Sequence, residues 1–233
     1  MDKLNISVGI ISWNSPETLT KTLTSYSERG FLDNVNDVCI LFNEISDEDR
    51  RVADHFSIPY IGKETNINPV EGFKELAEKS KTDNVLLLEN DWLLVEDLPT
   101  ILDRLQSGLD LLNKGYDVIR YRHRSNPGYP HYSFRFKGAE LEYYDDWHKI
   151  LSPHLLDSLH WLDPSKEFPD KIQKDGEYFT TTSRYGNWTG NPCLYKKDFY
   201  LNTTEPFSFD MQLERNIAYW WPRQSFKIAH GEG

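Results

Sequence analysis

Residues 6–26 read ISVGIISWNSPETLTKTLTSY. From Ile6 to Ile11 the run is nearly all apolar and rich in β-branched side chains. That is the pattern of a strand covered on both faces, not one alternating between core and water. It stops at Ser12-Trp13-Asn14. Ser15 then reads as an N-cap and Pro16 as the first helical residue, with Leu19, Leu23 and Tyr26 at helical spacing and Gly30 closing the helix. A buried strand followed at once by an amphipathic helix is the first half of a βαβ unit.

The same rhythm continues outward. Val38 to Phe42 predicts a second strand, ending in the polar turn Asn43-Glu44-Ile45-Ser46 before an acidic helix start at Asp47. Pro59-Tyr60-Ile61 predicts a third, and Asn68-Pro69 repeats the cap-plus-proline signal ahead of Val70, Phe73, Leu76 and Ala77. Val85-Leu86-Leu87-Leu88 is the clearest strand and ends abruptly in Glu89-Asn90-Asp91. A long helix with Leu98, Ile101, Leu102, Leu105, Leu109 and Leu112 on one face follows, then a fifth strand over 118–121. The expectation is an α/β fold with a mostly parallel central sheet flanked by helices. In such sheets ligands bind outside the carboxyl ends of the strands, where Ser12-Trp13-Asn14, Asn43-Glu44 and Glu89-Asn90-Asp91 supply polar tips.

From about Asn126 the pattern loosens into turn-rich, aromatic sequence. Asn191 to Tyr195 predicts a strand returning to the sheet, and residues 209–221 predict a last helix carrying Asp210 and Glu214 one turn apart. We expect a single domain over 1–233, with a ligand-binding half over 1–125 and an aromatic-rich half over 126–233. The end at Ala229-His230-Gly231-Glu232-Gly233 reads as part of a longer polypeptide.

Composition narrows the function classes. The 233 residues carry 26 Lys+Arg against 37 Asp+Glu, a net charge of −11, which argues against nucleic acid as a partner. No apolar run approaches a membrane span and the N-terminus has no signal-peptide profile. Two cysteines, Cys39 and Cys193, make no disulfide framework and suit a reducing, cytoplasmic setting. Asn5, Asn187 and Asn202 open N-x-Ser/Thr sequons, which without export are chance matches. Aromatic residues reach 14%, a surplus that suits sugar stacking or a thick core. Glycine-rich nucleotide loops of the dehydrogenase and P-loop types are missing, as are the H-E-x-x-H and G-x-S-x-G signatures.

Glu89 and Asp91 are the most informative residues. Two carboxylates spaced acid-x-acid at a strand end offer the hard oxygen ligands that Mn²⁺ or Mg²⁺ takes, with substrate phosphates completing the shell; two solvated acids are the plainer reading. Over roughly residues 5–95 the order of motifs resembles the family-2-like nucleotide-sugar glycosyltransferases of the GT-A fold. The opening strand, the Ser-Trp-Asn turn and the Pro-led helix match that family's start. Glu89-Asn90-Asp91 falls at its D-x-D position, with Glu in place of the usual first Asp. Asn66-Ile67-Asn68 matches its Asn-x-Gly turn, and Asn43-Glu44 stands where paired Asp residues are usual.

The resemblance implies a metal-dependent transfer from a nucleoside diphosphate sugar, UDP-linked in first expectation, to a hydroxyl of a glycan or glycoconjugate, with inversion. Ser12, Trp13, Asn14, Asn43, Glu44, Asn66, Glu89, Asn90 and Asp91 would line the nucleotide-sugar site, although Trp13 also reads as a buried turn aromatic. Asp91 and Glu89 would hold the cation, with His230 as a further ligand. Asp210, favoured over Glu214, would be the base. Trp147 and Trp188, with Trp161, are candidate acceptor platforms. The basic run Arg120-Tyr121-Arg122-His123-Arg124 reads either as a diphosphate or anionic-acceptor contact or as a salt-bridged strand. A non-catalytic carbohydrate-binding module is the competing reading. A sugar-phosphate nucleotidyltransferase is the weaker one, because Ser12-Trp13-Asn14-Ser15 is not the basic glycine-rich loop such an enzyme carries.

Overall fold

The computed structural model describes residues 3–123, 134–137, 140–143, 156, 163–207 and 213–233, with the backbone alone for 134–137, 140–143, 167 and 213–215. In chain order the elements are β1 (Leu4–Ser12), α1 (Pro16–Glu28), β2 (Val35–Phe42), α2 (Asp47–Phe56), β3 (Tyr60–Gly62), α3 (Pro69–Lys79), β4 (Asn84–Glu89), α4 (Leu98–Asn113), β5 (Val118–Arg120), β6 (Phe134–Lys137), β7 (Glu140–Tyr143), α5 (Pro164–Glu167), β8 (Gln173–Asp175), β9 (Tyr178–Thr182), β10 (Cys193–Lys196), α6 (Lys197–Thr204), α7 (Leu213–Trp220) and β11 (Lys227–His230). They fall into two compact units, 1–112 with 190–213 and 113–189 with 214–233.

In the first unit the strand order is β3-β2-β1-β4-β10. The β2–β3, β1–β2 and β1–β4 pairs are parallel and β10 runs antiparallel to β4. β1 is buried from Ile6 to Ser12 and β4 from Asn84 to Leu88, as their unbroken apolar runs require of strands covered on both faces. Two glycines let a helix approach closely. A Cβ on Gly9 would lie 3.0 Å from Leu76 Cβ, and one on Gly72 2.5 Å from Ile11 Cδ1, so α3 rests directly on β1.

Helix starts follow local chemistry. Asn68 caps α3 by accepting from Glu71 N at 2.9 Å, as the sequence predicts. Ser46 opens α2 with a capping box shared with Asp49. Ser15 departs from expectation: its hydroxyl turns back to Trp13 O at 2.8 Å and makes no cap bond, leaving Pro16 to set the start of α1. Gly30 follows α1 with φ +69°, a conformation that glycine adopts without penalty.

The second unit contains the order β5-β11-β9-β8, with β5 and β11 parallel and the other neighbours antiparallel, and the separate β6–β7 hairpin. Of the last predicted helix, Leu213–Trp220 is helical, and residues 209–212 lie outside the described residues. Among the described residues no helix is long and apolar enough to cross a membrane.

Candidate functional site

The parallel register aligns the ends of β2, β1 and β4. Ser12 pairs with Phe42, and Ile11 with Glu89, so Ser12 stands beside Asn90 and Asn43 follows directly on β2. Asn43 N also donates to Ser12 O at 2.8 Å. Three polar tips expected at one edge of the sheet are therefore neighbours in the first unit.

At the first tip Trp13 is 52% exposed, which excludes a buried turn aromatic. Its indole Nε1 donates to Glu44 Oε2 at 3.1 Å, joining the tips of β1 and β2. Asn14 (φ +46°) and Glu44 (φ +69°) both take the left-handed conformation. Asn adopts it with little strain, whereas a non-glycine residue such as Glu costs of order 1 kcal/mol there. Ser12 is 2% exposed, and its hydroxyl has no hydrogen-bond partner among the described residues.

Asn43 is buried, and its amide is engaged on both sides by the turn ahead of α3. Nδ2 donates to Asn66 Oδ1 at 2.8 Å and to Ile67 O, while Oδ1 accepts from Ile67 N at 2.5 Å. It therefore fastens the 66–67 turn to the end of β2 and leaves the exposed Asn66 and Glu44 as the outward groups of that tip.

The third tip is held by α1. Thr22 Oγ1 donates to Asn90 O at 2.7 Å and Tyr26 Oη to Trp92 O at 2.7 Å. Ser25 Oγ accepts from Leu94 N at 3.2 Å, and Arg29 Nε donates to Glu96 O at 2.8 Å. Four side chains along one face of the helix thus grip the main chain from 90 to 96. The sequence reading missed this ladder, because Thr22, Ser25 and Arg29 look like an ordinary polar face until the distant backbone is beside them. Within the gripped segment Asn90 Nδ2 is buried and without a partner among the described residues, while Asp91 is exposed. Burial first, and the Asp91 charge second, push the Tyr26 phenol well above its ordinary range.

The residues expected from the second half fare differently. His230 is fully buried on β11 and donates through Nε2 to Arg122 O at 2.8 Å. Among the described residues no three His, Cys, Asp or Glu side chains gather as a metal cluster. Trp188, expected as an acceptor platform, is 8% exposed, so its ring is buried and offers no open stacking face. Arg120 and Arg122 are buried, and the Arg120 guanidinium donates to Asn187 O. The sequon residue Asn187 is itself buried. Glu214 lies on α7, and Asp210, Trp147, Trp161 and Arg124 lie outside the described residues.

The sequence matches no protein-family model and no curated protein. Solved structures do match. The mannosyltransferase PcManGT of Pyrobaculum calidifontis, solved with GDP-Man and Mn²⁺, aligns with TM-score 0.52 and 10% identity over 99% of this chain and 57% of its own. Glucosyl-3-phosphoglycerate synthase of Mycobacterium tuberculosis, in complex with UDP, gives TM-score 0.48 and 14% identity over 88% of this chain and 67% of its own. S. aureus TarS gives TM-score 0.42 and 17% identity over 53% of this chain and 22% of its own. This chain thus spans little more than half of the mannosyltransferase and about a fifth of TarS. What the mannosyltransferase and this chain share at such identity is the fold, a GT-A-type mixed α/β fold with a large central sheet flanked by helices.

Proposed function

We propose that this chain is a metal-dependent glycosyltransferase that moves a sugar from a nucleoside diphosphate, UDP in the first instance, to a hydroxyl of a glycan or glycoconjugate with inversion. One observation carries the reading. Ser12 and Asn90, at the adjoining carboxyl ends of β1 and β4, each carry a buried polar atom, Oγ and Nδ2, with no partner among the described residues, and Glu89 and Asp91 stand on either side of Asn90 in the chain. Buried polar groups are ordinarily satisfied, so two unspent ones at adjoining strand ends mark where a polar ligand docks. The shared fold of the mannosyltransferase solved with GDP-Man and Mn²⁺ supports the same reading.

The donor set fits a hard divalent cation. Two carboxylates are what Mg²⁺ or Mn²⁺ takes when phosphate oxygens complete the shell. In a chain of net charge −11, bare acids at this edge would repel a diphosphate, so donor binding there requires a cation between them. Asp91, with Glu89, would hold it, and it would supply positive charge opposite the departing diphosphate. Ser12 and Asn90 orient the donor by hydrogen bonds. Trp13, kept outward by Glu44, offers a flat face to base or ribose, with Asn14, Asn66 and Glu44 as the exposed polar groups beside it and Asn43 bracing the 66–67 turn.

In the transfer the acceptor oxygen bonds to the anomeric carbon as the carbon–phosphate-oxygen bond breaks, and the acceptor proton passes to a carboxylate. Asp210 is assigned that role, with Glu214 one turn along as the alternative.

The test is release of nucleoside diphosphate from a panel of nucleotide sugars with glycan acceptors. Asp91→Ala should lower turnover by about 100- to 1,000-fold with the fold intact. Asp210→Asn should lower kcat by about 100-fold or more while donor affinity stays within a few fold. Wild-type-like turnover in Asp91→Ala would remove the metal assignment. If Glu214→Gln alone shows the kcat loss, the base is Glu214.

A further inference from the structure

We propose that Gly190 is a positioning residue for the Glu89 carboxylate, and that the missing side chain at position 190 keeps open the space that carboxylate occupies. The inference builds on the metal-and-nucleotide reading of the strand end. Gly190 lies three residues ahead of β10, the strand that runs antiparallel beside β4, and β4 ends at Glu89. A Cβ built on Gly190 would stand 2.9 Å from Glu89 Oε1, 3.1 Å from Cδ and 3.4 Å from Oε2. Among the described residues all three nearest neighbours are thus atoms of one carboxylate.

A methyl group there cannot coexist with the carboxylate in its present place. The atoms in the way are the far end of a side chain and not backbone, so the displacement falls on the carboxylate. Gly190→Ala should therefore leave the fold nearly as stable while displacing the Glu89 oxygens by several tenths of an ångström. Metal and phosphate sites are sensitive to displacements of that size. Groups behind a ligand commonly change metal affinity by about 10- to 100-fold when altered. A glycine kept for packing alone would show the opposite profile, losing stability and sparing the ligand.

The experiment measures Mn²⁺ affinity in the presence of UDP by calorimetry, together with Tm, for the wild type, Gly190→Ala, Glu89→Asp and the double variant. Aspartate is one methylene shorter and draws the carboxylate back from residue 190. The expected result is about 10- to 100-fold weaker Mn²⁺ binding in Gly190→Ala, with Tm lowered by less than about 4 °C. In the Glu89→Asp background the same glycine substitution should cost less than about threefold, because the clash is already relieved. Unchanged Mn²⁺ affinity in Gly190→Ala overturns the proposal, and so does an equal loss in both backgrounds or a large fall in Tm. A wild type that binds no Mn²⁺ with UDP overturns the site reading instead. The placement claim is then decided by a crystal structure of Gly190→Ala, where an unmoved Glu89 carboxylate refutes it.

Discussion

Asn43 shows how much of a ligand site is built by residues that never reach the ligand. By position it looks like a base-reading group, polar and directly after a buried strand. In the fold its amide is consumed by Asn66 and Ile67. What it contributes is the shape of the turn ahead of α3, and so the placement of Asn66. Asn43→Ala should lower the free energy of unfolding by about 2–3 kcal/mol, because Ile67 loses main-chain partners beside a buried side chain. Urea unfolding measures it, and an effect below about 0.5 kcal/mol would mean the turn holds without Asn43. Such a role was not legible in the chain: Asn43 and Asn66 each look like free polar tips until folding brings them together. Trp13 is the converse case. Sequence alone left it equally readable as core or as pocket, and only the bond to Glu44 with the exposed ring decides between them.

At the scale of elements, strands and helices of the first unit were legible because their signals are local. Continuous apolar runs marked β1 and β4, and Asn68-Pro69 marked the start of α3. Boundaries slipped where pairing rather than composition sets them, as with β2, which begins at Val35 instead of Val38 because β1 provides a partner that far back. The α1 ladder was illegible for a related reason: its acceptors are main-chain carbonyls, which no residue pattern reveals. It also carries a prediction. Tyr26→Phe and Arg29→Ala each remove one bond to the segment 90–96, worth about 1 kcal/mol. Amide exchange over 90–96 should quicken in both variants, with the strands β1 and β4 still protected. If the quickening spreads evenly through the first unit, α1 acts as general support and not as the clamp on the Asp91 segment.

For the molecule as a whole, the divide in legibility follows the chemistry of the two stretches of chain. Up to about residue 95 each element carries its own punctuation of Pro, Asn and Gly. Beyond it the aromatic residues look alike, and their roles depend on burial. Trp188 and Trp221 are interior, and Tyr219 is exposed. His230 and Arg120 likewise looked like available polar groups, yet both are enclosed in the second unit. The account of function therefore stands on the first unit's strand ends, and the most direct test addresses them alone. Calorimetric titration of the purified chain with UDP, GDP, TDP and CMP, each with and without Mn²⁺, should show binding of one nucleoside diphosphate only when the cation is present, and no binding in Asp91→Ala. Equal affinity with and without Mn²⁺, or no binding of any nucleotide by the folded protein, would contradict the account and turn attention to direct recognition of free glycans.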